Sequence, residues 1–275
     1  MEEFKKDSVE ATLCIPLWSR AMAARKFPDL MPDHDAAEIL KKMNEKRPPT
    51  VLYYLESAAY AGAIRQYDLA CEIKDYLKDH PEATIVELGA GLSCLRRQMG
   101  NEDNKWYNID LEDVIRCREK YIETGDLERN IVHDLRDHTW FDKIEYEEEK
   151  GIIFVAAGVL HYFEYDEAKK LIMAMADHFK GGRFVFDYIS AKGLKAGNYQ
   201  VASTGNETRM KFVLNNAIKE ISSWNKDIDV NIRSYMEGYP IKGMRLSFLT
   251  KAYIRTKRDK YFIAILDFGK DKNDE

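Results

Sequence analysis

Three acidic residues that could bind a polar ligand occur at or near the carboxyl ends of three successive predicted strands. They are Glu87, Asp110 and Asp134. Parallel strands present their carboxyl ends at one edge of a sheet, where open α/β sheets bind ligands. A single acid of this kind is better explained as a helix cap or a surface charge. Three in series indicate a binding site.

A glycine turn follows the first of these strands. In TIVELGAGLSC, residues 84–94, an apolar strand is followed by Gly89, Ala90 and Gly91. The two glycines let a ligand approach the main chain, because neither carries a Cβ atom. The dinucleotide fingerprint requires a third glycine for helix–strand packing, and Cys94 occupies that position. The turn therefore predicts a nucleotide-type site that departs from the dinucleotide pattern.

The positions of the later acids narrow the choice of ligand. Asp110, with Leu111 beside it, lies about twenty residues beyond the glycine turn, which suits a ribose diol in a nicotinamide cofactor or in S-adenosylmethionine. Asp134 and Leu135 could bracket an adenine, because the carboxylate accepts from the exocyclic amine and the leucine covers the ring. With the third glycine missing, this series favours S-adenosylmethionine.

The methionine part of S-adenosylmethionine needs a cation for its carboxylate and acceptors for its ammonium group. Arg65, on the helix before the first strand, is the candidate cation. An exposed helix arginine is the alternative interpretation. Backbone carbonyls near Gly89 or Ala156 could accept from the ammonium group.

Strands alternate with helices from residue 84 onward, which indicates an α/β protein with a doubly wound, mostly parallel sheet. The first eighty residues have helical periodicity, and we expect a helical lid over 1–80 and a ligand-binding domain over 81–275. We also expect an insertion over about 192–258 that covers the ligand edge, in which 206–224 is helical in pattern. The predicted strands are 84–88, 105–110, 130–135, 151–160, 181–190, 229–240 and 260–269.

Composition excludes several classes of function. The net charge of −5, without basic clusters, argues against a nucleic-acid partner. Four widely spaced cysteines fit neither a zinc site nor a disulfide framework. The charged amino terminus is unlike a signal peptide, and no apolar run is long enough to span a membrane. We therefore expect a cytoplasmic protein that binds no metal, and the oligomeric state stays open.

Several ordered motifs resemble one enzyme family. They are TLCIPLWSRA, IRQYD, HPEATIVELGAGLS, KWYNIDLEDVIRCR, VAAGVLHYF and GGRFVFDYIS, and they extend over about 180 residues. The chain resembles the leucine carboxyl methyltransferase family, and most of all its tetracenomycin-type branch, which esterifies a polyketide carboxyl group. The resemblance implies a class I methyltransferase (Rossmann-like) fold with a seven-stranded sheet.

The resemblance also implies roles for individual residues. It places Arg65 at the methionine carboxylate, Gly89 and Gly91 in the cofactor loop, Asp110 at the ribose and Asp134 beside the adenine. The segment that passes beneath the methionine part is Ala156, Ala157 and Gly158. This chain departs from the family by having Ser93-Cys94-Leu95 where many members have Asp-Thr-Arg. It has Ala157-Gly158 where protein-directed members have Glu-Cys, which favours a small-molecule acceptor.

Methyl transfer mainly needs alignment and desolvation. A carboxylate acceptor needs no base, whereas a phenol or alcohol would benefit from one. His161 and Tyr162, after the fourth strand, are the candidate catalytic residues, although a histidine there is more simply a packing residue. His133 is a weaker candidate and Asp187 is expected to be structural. The alternatives are methylation of a protein carboxyl terminus, a non-catalytic cofactor-binding protein and, less favoured, a nicotinamide-linked oxidoreductase.

Overall fold

A computed structural model describes residues 13–28, 33–44, 55–203, 207–234, 239 and 245–269. The helices within these residues are α1 (Cys14–Lys26), α2 (His34–Lys42), α3 (Glu56–Asp79), α4 (Leu95–Met99), α5 (Glu112–Tyr121), α6 (Tyr165–His178), α7 (Ala191–Ala202), α8 (Ala217–Trp224) and α9 (Phe248–Lys257). The strands are β1 (Thr84–Leu88), β2 (Trp106–Asp110), β3 (Glu128–Val132), β4 (Ile152–Ala156), β5 (Arg183–Ile189), β6 (Ile228–Ser234) and β7 (Tyr261–Phe268).

These strands form one seven-stranded sheet in the order β3-β2-β1-β4-β5-β7-β6. The first five in chain order pair in parallel, and β7 runs antiparallel to both β5 and β6. The strand order changes direction at β1, so the loops after β1 and β4 flank the crevice where such sheets bind ligands. The predicted doubly wound, mostly parallel α/β fold is confirmed.

Local sequence explains why these elements form. Every residue of β4 is buried, as its uninterrupted apolar run predicts for a strand covered on both faces. Helix α6 begins with a capping box in which Glu164 and Glu167 each satisfy the other's backbone N–H. Asp33 caps α2 by accepting from Ala36 N at 3.0 Å.

Two hydrophobic cores cover the two faces of the sheet. One contains Trp140, Phe154, Phe179 and Phe184, and includes residues of α6 and α8. The other includes buried residues of α3 and the sheet, among them Ile73. Because α3 shares this second core with β1, β4 and β5, it is part of the packed structure around the sheet. The domain boundary near residue 80 stays a prediction.

Helices α1 and α2 are joined to the glycine turn by a buried ion pair. Arg20 Nη1 lies 3.3 Å from Asp33 Oδ2, and both side chains are almost fully buried. Arg20 Nη2 also donates to the carbonyl oxygen of Leu92 at 2.6 Å. The predicted helical segment at the amino terminus is thus anchored beside the candidate ligand loop.

The region 192–258 differs from the expected insertion in two ways. The helix predicted over 206–224 is formed only from Ala217 onward, and the strand predicted over 229–240 is present as the shorter β6. Residues 208–214 are irregular because they pack beneath the sheet edge, where the backbone N–H of Phe212 donates to His161 O and Phe212 is fully buried. The predicted strand over 229–240 ends at Ser234 in β6, and most of its remainder lies outside the described residues.

Among the residues that the structure describes, no helix has the length and apolarity required to cross a membrane.

Candidate active site

The turn after β1 can be made only with glycine at its first position. Gly89 has φ +61° and its N–H donates to Ile109 O at 2.8 Å. A Cβ atom added there would collide with the side chain of Val159. Gly91 also has a positive φ of +52°, and a Cβ atom there would meet Leu13. Two constraints, the left-handed backbone and the close approach of Val159, therefore select glycine at 89.

Asp110 is fixed by the backbone around it. Its Oδ2 accepts from Gly91 N at 2.8 Å, and its Oδ1 accepts from Leu111 N at 2.8 Å. A carboxylate oxygen can accept more than one hydrogen bond, so both oxygens keep capacity for donors on a ligand. The side chain lies in the cavity lining. This is the arrangement that a pair of adjacent hydroxyl groups would require.

Asp134 lies in the loop two residues beyond the end of β3. Its Oδ1 accepts from Arg136 N at 2.9 Å and forms an ion pair with Arg136 Nη1 at 3.3 Å. The same guanidinium stacks over the ring of Phe163, with its Cζ atom 4.6 Å from the ring centroid, and pairs with Glu167 at 3.1 Å. An amine that bound to Asp134 would share the carboxylate with Arg136.

A buried carboxylate, Asp187 on β5, connects three predicted site residues. Its Oδ2 lies 3.2 Å from Arg65 Nη1 and 3.2 Å from His161 Nε2, and its Oδ1 accepts from Gly158 N at 2.6 Å. Burial by itself would raise the pKa of Asp187, but the adjacent His161 and Arg65 and the hydrogen bonds hold it well below its usual range. Asp187 is therefore an ionised anchor for the loop after β4.

This cluster changes the interpretation of Arg65. The sequence predicts that its charge binds a ligand carboxylate, whereas in the structure one guanidinium nitrogen is bound to Asp187. Arg65 still lies in the cavity lining, and a guanidinium has five N–H donors. Its assignment to the methionine carboxylate stays a prediction, and Asp187 is now the residue that orients it.

His161 lies in the short 3₁₀ turn Leu160–Tyr162 and is almost completely buried. Its Nε2 faces Asp187, and its Nδ1 has no hydrogen-bond partner among the described residues. If Nε2 carries the proton that bonds to Asp187, Nδ1 presents a lone pair and could accept a proton. The geometry thus allows both roles considered for His161, a packing residue and a base.

Most of the predicted site residues line one cavity of about 870 Å³. Those in its lining are Arg65, Gly89, Asp110, Leu111, Asp134, Leu135, Ala157, Gly158, His161 and Tyr162. The described lining does not include Glu87, Ala90, Gly91 or Ala156. Of these, Gly91 acts through its backbone by orienting Asp110, and Ala156 is buried in β4.

The placement of Glu87 corrects the prediction that it belongs to a series of ligand-binding acids. Alternation along β1 directs its side chain behind the glycine turn, where burial raises its pKa and Arg118 and Ser93 lie nearby. Arg118 donates to the carbonyl oxygens of Gly91, at 3.2 Å, and Ser93, at 2.6 Å. Glu87 therefore belongs to the polar support of the turn.

The cavity has two halves of different construction. The loops after β1, β2, β3 and β4 form what we call the strand-end half. Helices α1, α7 and α9, the first turns of α3 and Tyr261 form the helical half. The polar residues of the helical half, which include Lys192, Lys195, Tyr253 and Lys257, belong to no motif recognisable in the sequence. Only their position in the region predicted to cover the site could have indicated them.

Among the described residues, no cluster of potential metal ligands occurs.

No protein-family model matches the chain. The sequence is similar to that of the tetracenomycin polyketide synthesis O-methyltransferase TcmP of Streptomyces glaucescens, with 23% identity over 201 residues that make up 72% of each chain. This similarity confirms the predicted resemblance to the tetracenomycin-type branch. Membership of the leucine carboxyl methyltransferase family as a whole stays a prediction.

Several solved structures share the fold. A protein of Thermobifida fusca YX, provisionally named a methyltransferase, has a TM-score of 0.59 and 14% identity over 97% of this chain and 96% of its own. The plantazolicin methyltransferase BpumL, solved in complex with SAH, has a TM-score of 0.53 and 14% identity over 94% of this chain and 98% of its own. The chain therefore has the class I methyltransferase fold and is similar in sequence to a polyketide O-methyltransferase.

Proposed function

We propose that the protein is an S-adenosylmethionine-dependent O-methyltransferase that acts on a polyketide-like small molecule through a carboxylate or hydroxyl group. One observation carries the proposal. The glycine turn, the backbone-oriented Asp110 and the cluster around Asp187 open into a single cavity at the carboxyl ends of the strands. The similarity to TcmP supports the assignment of the acceptor atom as oxygen.

The residues of the strand-end half fit the parts of this cofactor. The absence of a Cβ atom at Gly89 keeps the main chain accessible, and Asp110 can accept from both hydroxyl groups of a ribose. Asp134 and Leu135, which line the cavity, would bracket an adenine, and Arg65, also in the lining, would bind a carboxylate. Each of these assignments matches a group of the cofactor in charge and hydrogen-bonding capacity.

S-adenosylmethionine supplies a methyl group on a sulfonium, so that an acceptor oxygen gains an O–CH₃ bond as the S–CH₃ bond breaks and sulfur keeps the electron pair. The protein aligns the acceptor and excludes water. A carboxylate acceptor is already ionised and releases no proton. A hydroxyl acceptor releases one, which His161 Nδ1 could accept. We favour the carboxylate because the protein then needs no base.

The size of the cavity favours a small acceptor. Its volume of about 870 Å³ falls within the range of small-molecule sites, and the cofactor and the acceptor must share it. A protein carboxyl terminus as acceptor and a non-catalytic cofactor-binding role are the alternatives. A cytoplasmic location stays a prediction, and the oligomeric state stays open.

Calorimetry followed by an activity assay tests the proposal. We expect the purified protein to bind S-adenosylhomocysteine and to bind NAD little, because Cys94 replaces the third glycine of the dinucleotide pattern. Incubation with S-adenosylmethionine and a panel of aromatic carboxylic acids and phenols should then give a methylated product by mass spectrometry. Tighter binding of NAD would refute the cofactor. Cofactor binding without any methylated small molecule would favour the alternatives.

A further inference from the structure

The two halves of the cavity differ in their charged side chains, because the strand-end half combines acidic residues with Arg65 and Arg136, whereas the helical half is basic. The acidic residues of the lining are Asp110, Asp134 and Asp187, and all three lie at the sheet. The described lining of the helical half contains Lys192, Lys195 and Lys257 but no acidic side chain. A ligand part that extends from the strand-end half into the helical half therefore passes from acids that are largely paired with cations, Asp187 with Arg65 and Asp134 with Arg136, to surroundings whose charged side chains in the described lining are all basic.

Lys257 differs from the other two lysines in its surroundings. Lys192 and Lys195 are exposed, and Lys192 is paired with Asp259 at 3.2 Å. Lys257 is only partly exposed, and within the described residues it forms no ion pair. Its Nζ atom lies 5.2 Å from the ring centroid of Tyr253 and 5.4 Å from that of Tyr261. The ammonium group is thus held over two aromatic rings in the cavity wall.

This arrangement orients the ammonium group of Lys257 so that it can bind an anionic ligand. Burial lowers the pKa of Lys257, with a further contribution from the charge of Lys260. The same burial makes a charge-assisted hydrogen bond to an entering anion stronger than it would be in water. The two tyrosine rings restrict the long side chain before binding, so that less conformational entropy is lost when a ligand binds.

The sheet register places this lysine beside the reaction region. Tyr261 pairs with Ile189 in the β5–β7 ladder, and Ile189 is two residues beyond Asp187. Two residues of strand span about 6–7 Å. Tyr261, one of the two residues that hold Lys257, therefore lies just beyond the Asp187 cluster along the sheet.

We propose that Lys257, held by Tyr253 and Tyr261, is a specificity-determining residue that binds an acidic group of the methyl acceptor, and that the acceptor is an aromatic acid. The inference rests on the proposed function, because it takes the helical half of this cavity to be the acceptor site. The aromatic character follows from the rings of Tyr199, Tyr253 and Tyr261, which line this half of the cavity.

Calorimetry with two matched probes tests the proposal in the full-length protein. The probes are the naphthoate anion and the neutral naphthamide, each titrated with and without S-adenosylhomocysteine. We expect the parent to bind naphthoate more tightly, and Lys257→Gln to weaken naphthoate binding about ten-fold or more while naphthamide binding changes little. Lys257→Arg should keep the preference for the anion. Lys251→Gln, on the exposed face of the same helix and outside the described lining, is the control.

The possible results separate this proposal from the proposed function. Equal naphthoate affinity in the parent and Lys257→Gln would overturn the role of Lys257, as would a parent that binds naphthamide as tightly as naphthoate. That parental comparison decides the question even if Lys257→Gln fails to fold. If S-adenosylhomocysteine did not bind but naphthoate binding still depended on Lys257, the anion site would stand and the proposed function would fail.

Discussion

The strand-end half and the helical half of the cavity are built in different ways. In the strand-end half the functional groups are held by short backbone contacts, such as those of Gly89 with Ile109 and of Asp110 with Gly91 and Leu111. In the helical half long side chains, such as Lys257, project from helices. Backbone-held groups tolerate little change, whereas side chains on helix faces can be replaced without altering the sheet. The comparison suggests that the first half determines the cofactor and the second the acceptor.

Among substitutions in the strand-end half, that of Gly89 should cause the largest loss of affinity for the cofactor. Gly89→Val combines a positive φ with a collision against Val159, so we expect affinity for S-adenosylhomocysteine to fall by more than about a hundred-fold, as measured by calorimetry. Gly100→Ala is the matched control, because Gly100 has φ +62° but nothing within 4 Å of an added Cβ atom. That control should lose about 1 kcal/mol of stability and keep its affinity. Equal affinity in both variants would contradict the assignment of the turn.

Removal of the Asp110 carboxylate should cause the next largest loss of affinity for the cofactor. Asp110→Ala removes the predicted acceptors of the ribose hydroxyls. A charge-assisted hydrogen bond contributes about 1.5–3 kcal/mol, so we expect affinity for S-adenosylhomocysteine to fall by roughly ten- to a hundred-fold. Asp113→Ala, an exposed acid on α5 that pairs with Arg116, should bind like the parent. Naphthoate affinity should not change in either variant. A loss confined to naphthoate would reverse the assignment of the two halves.

The difference between the halves also explains what the sequence could predict. The glycine turn and Asp110 are recognisable because their function depends on spacing along one βαβ unit. The link between Asp187 and Arg65 is not predictable in this way, because it joins residues 122 positions apart and no local pattern reports it. Glu87 lies away from the predicted ligand edge, because a one-residue difference in strand alternation moves a side chain from that edge to the packed face. Lys257 carries no motif at all.

A change of pH should alter ligand affinity in the helical half, and by a smaller amount than the substitutions above. Burial lowers the pKa of Lys257, so its positive charge is lost as pH rises through a value below the ordinary one for lysine. Burial raises the pKa of Tyr261 to about 12, so that tyrosine stays neutral over the same range. We expect naphthoate affinity to fall by up to about ten-fold for each pH unit above the pKa of Lys257. Affinity for naphthamide should stay level, and so should that of Lys257→Gln for naphthoate. A parallel fall in those two titrations would mean that another group causes the change.

Substitution of His161 should have the smallest effect if the acceptor is a carboxylate. His161→Gln keeps a donor for Asp187 and removes the Nδ1 lone pair, so turnover with a carboxylate acceptor should change only slightly, because no proton has to be removed. His138→Gln, outside the described cavity lining, controls for loss of an imidazole. If the acceptor is a hydroxyl and His161 is its base, turnover should instead fall by about 10²–10⁴-fold. The product distinguishes the two cases independently, since an ester releases methanol in base and a methyl ether does not. A base-stable product together with a collapse in turnover would refute the carboxylate assignment and would make His161, held by Asp187, the catalytic residue of the strand-end half.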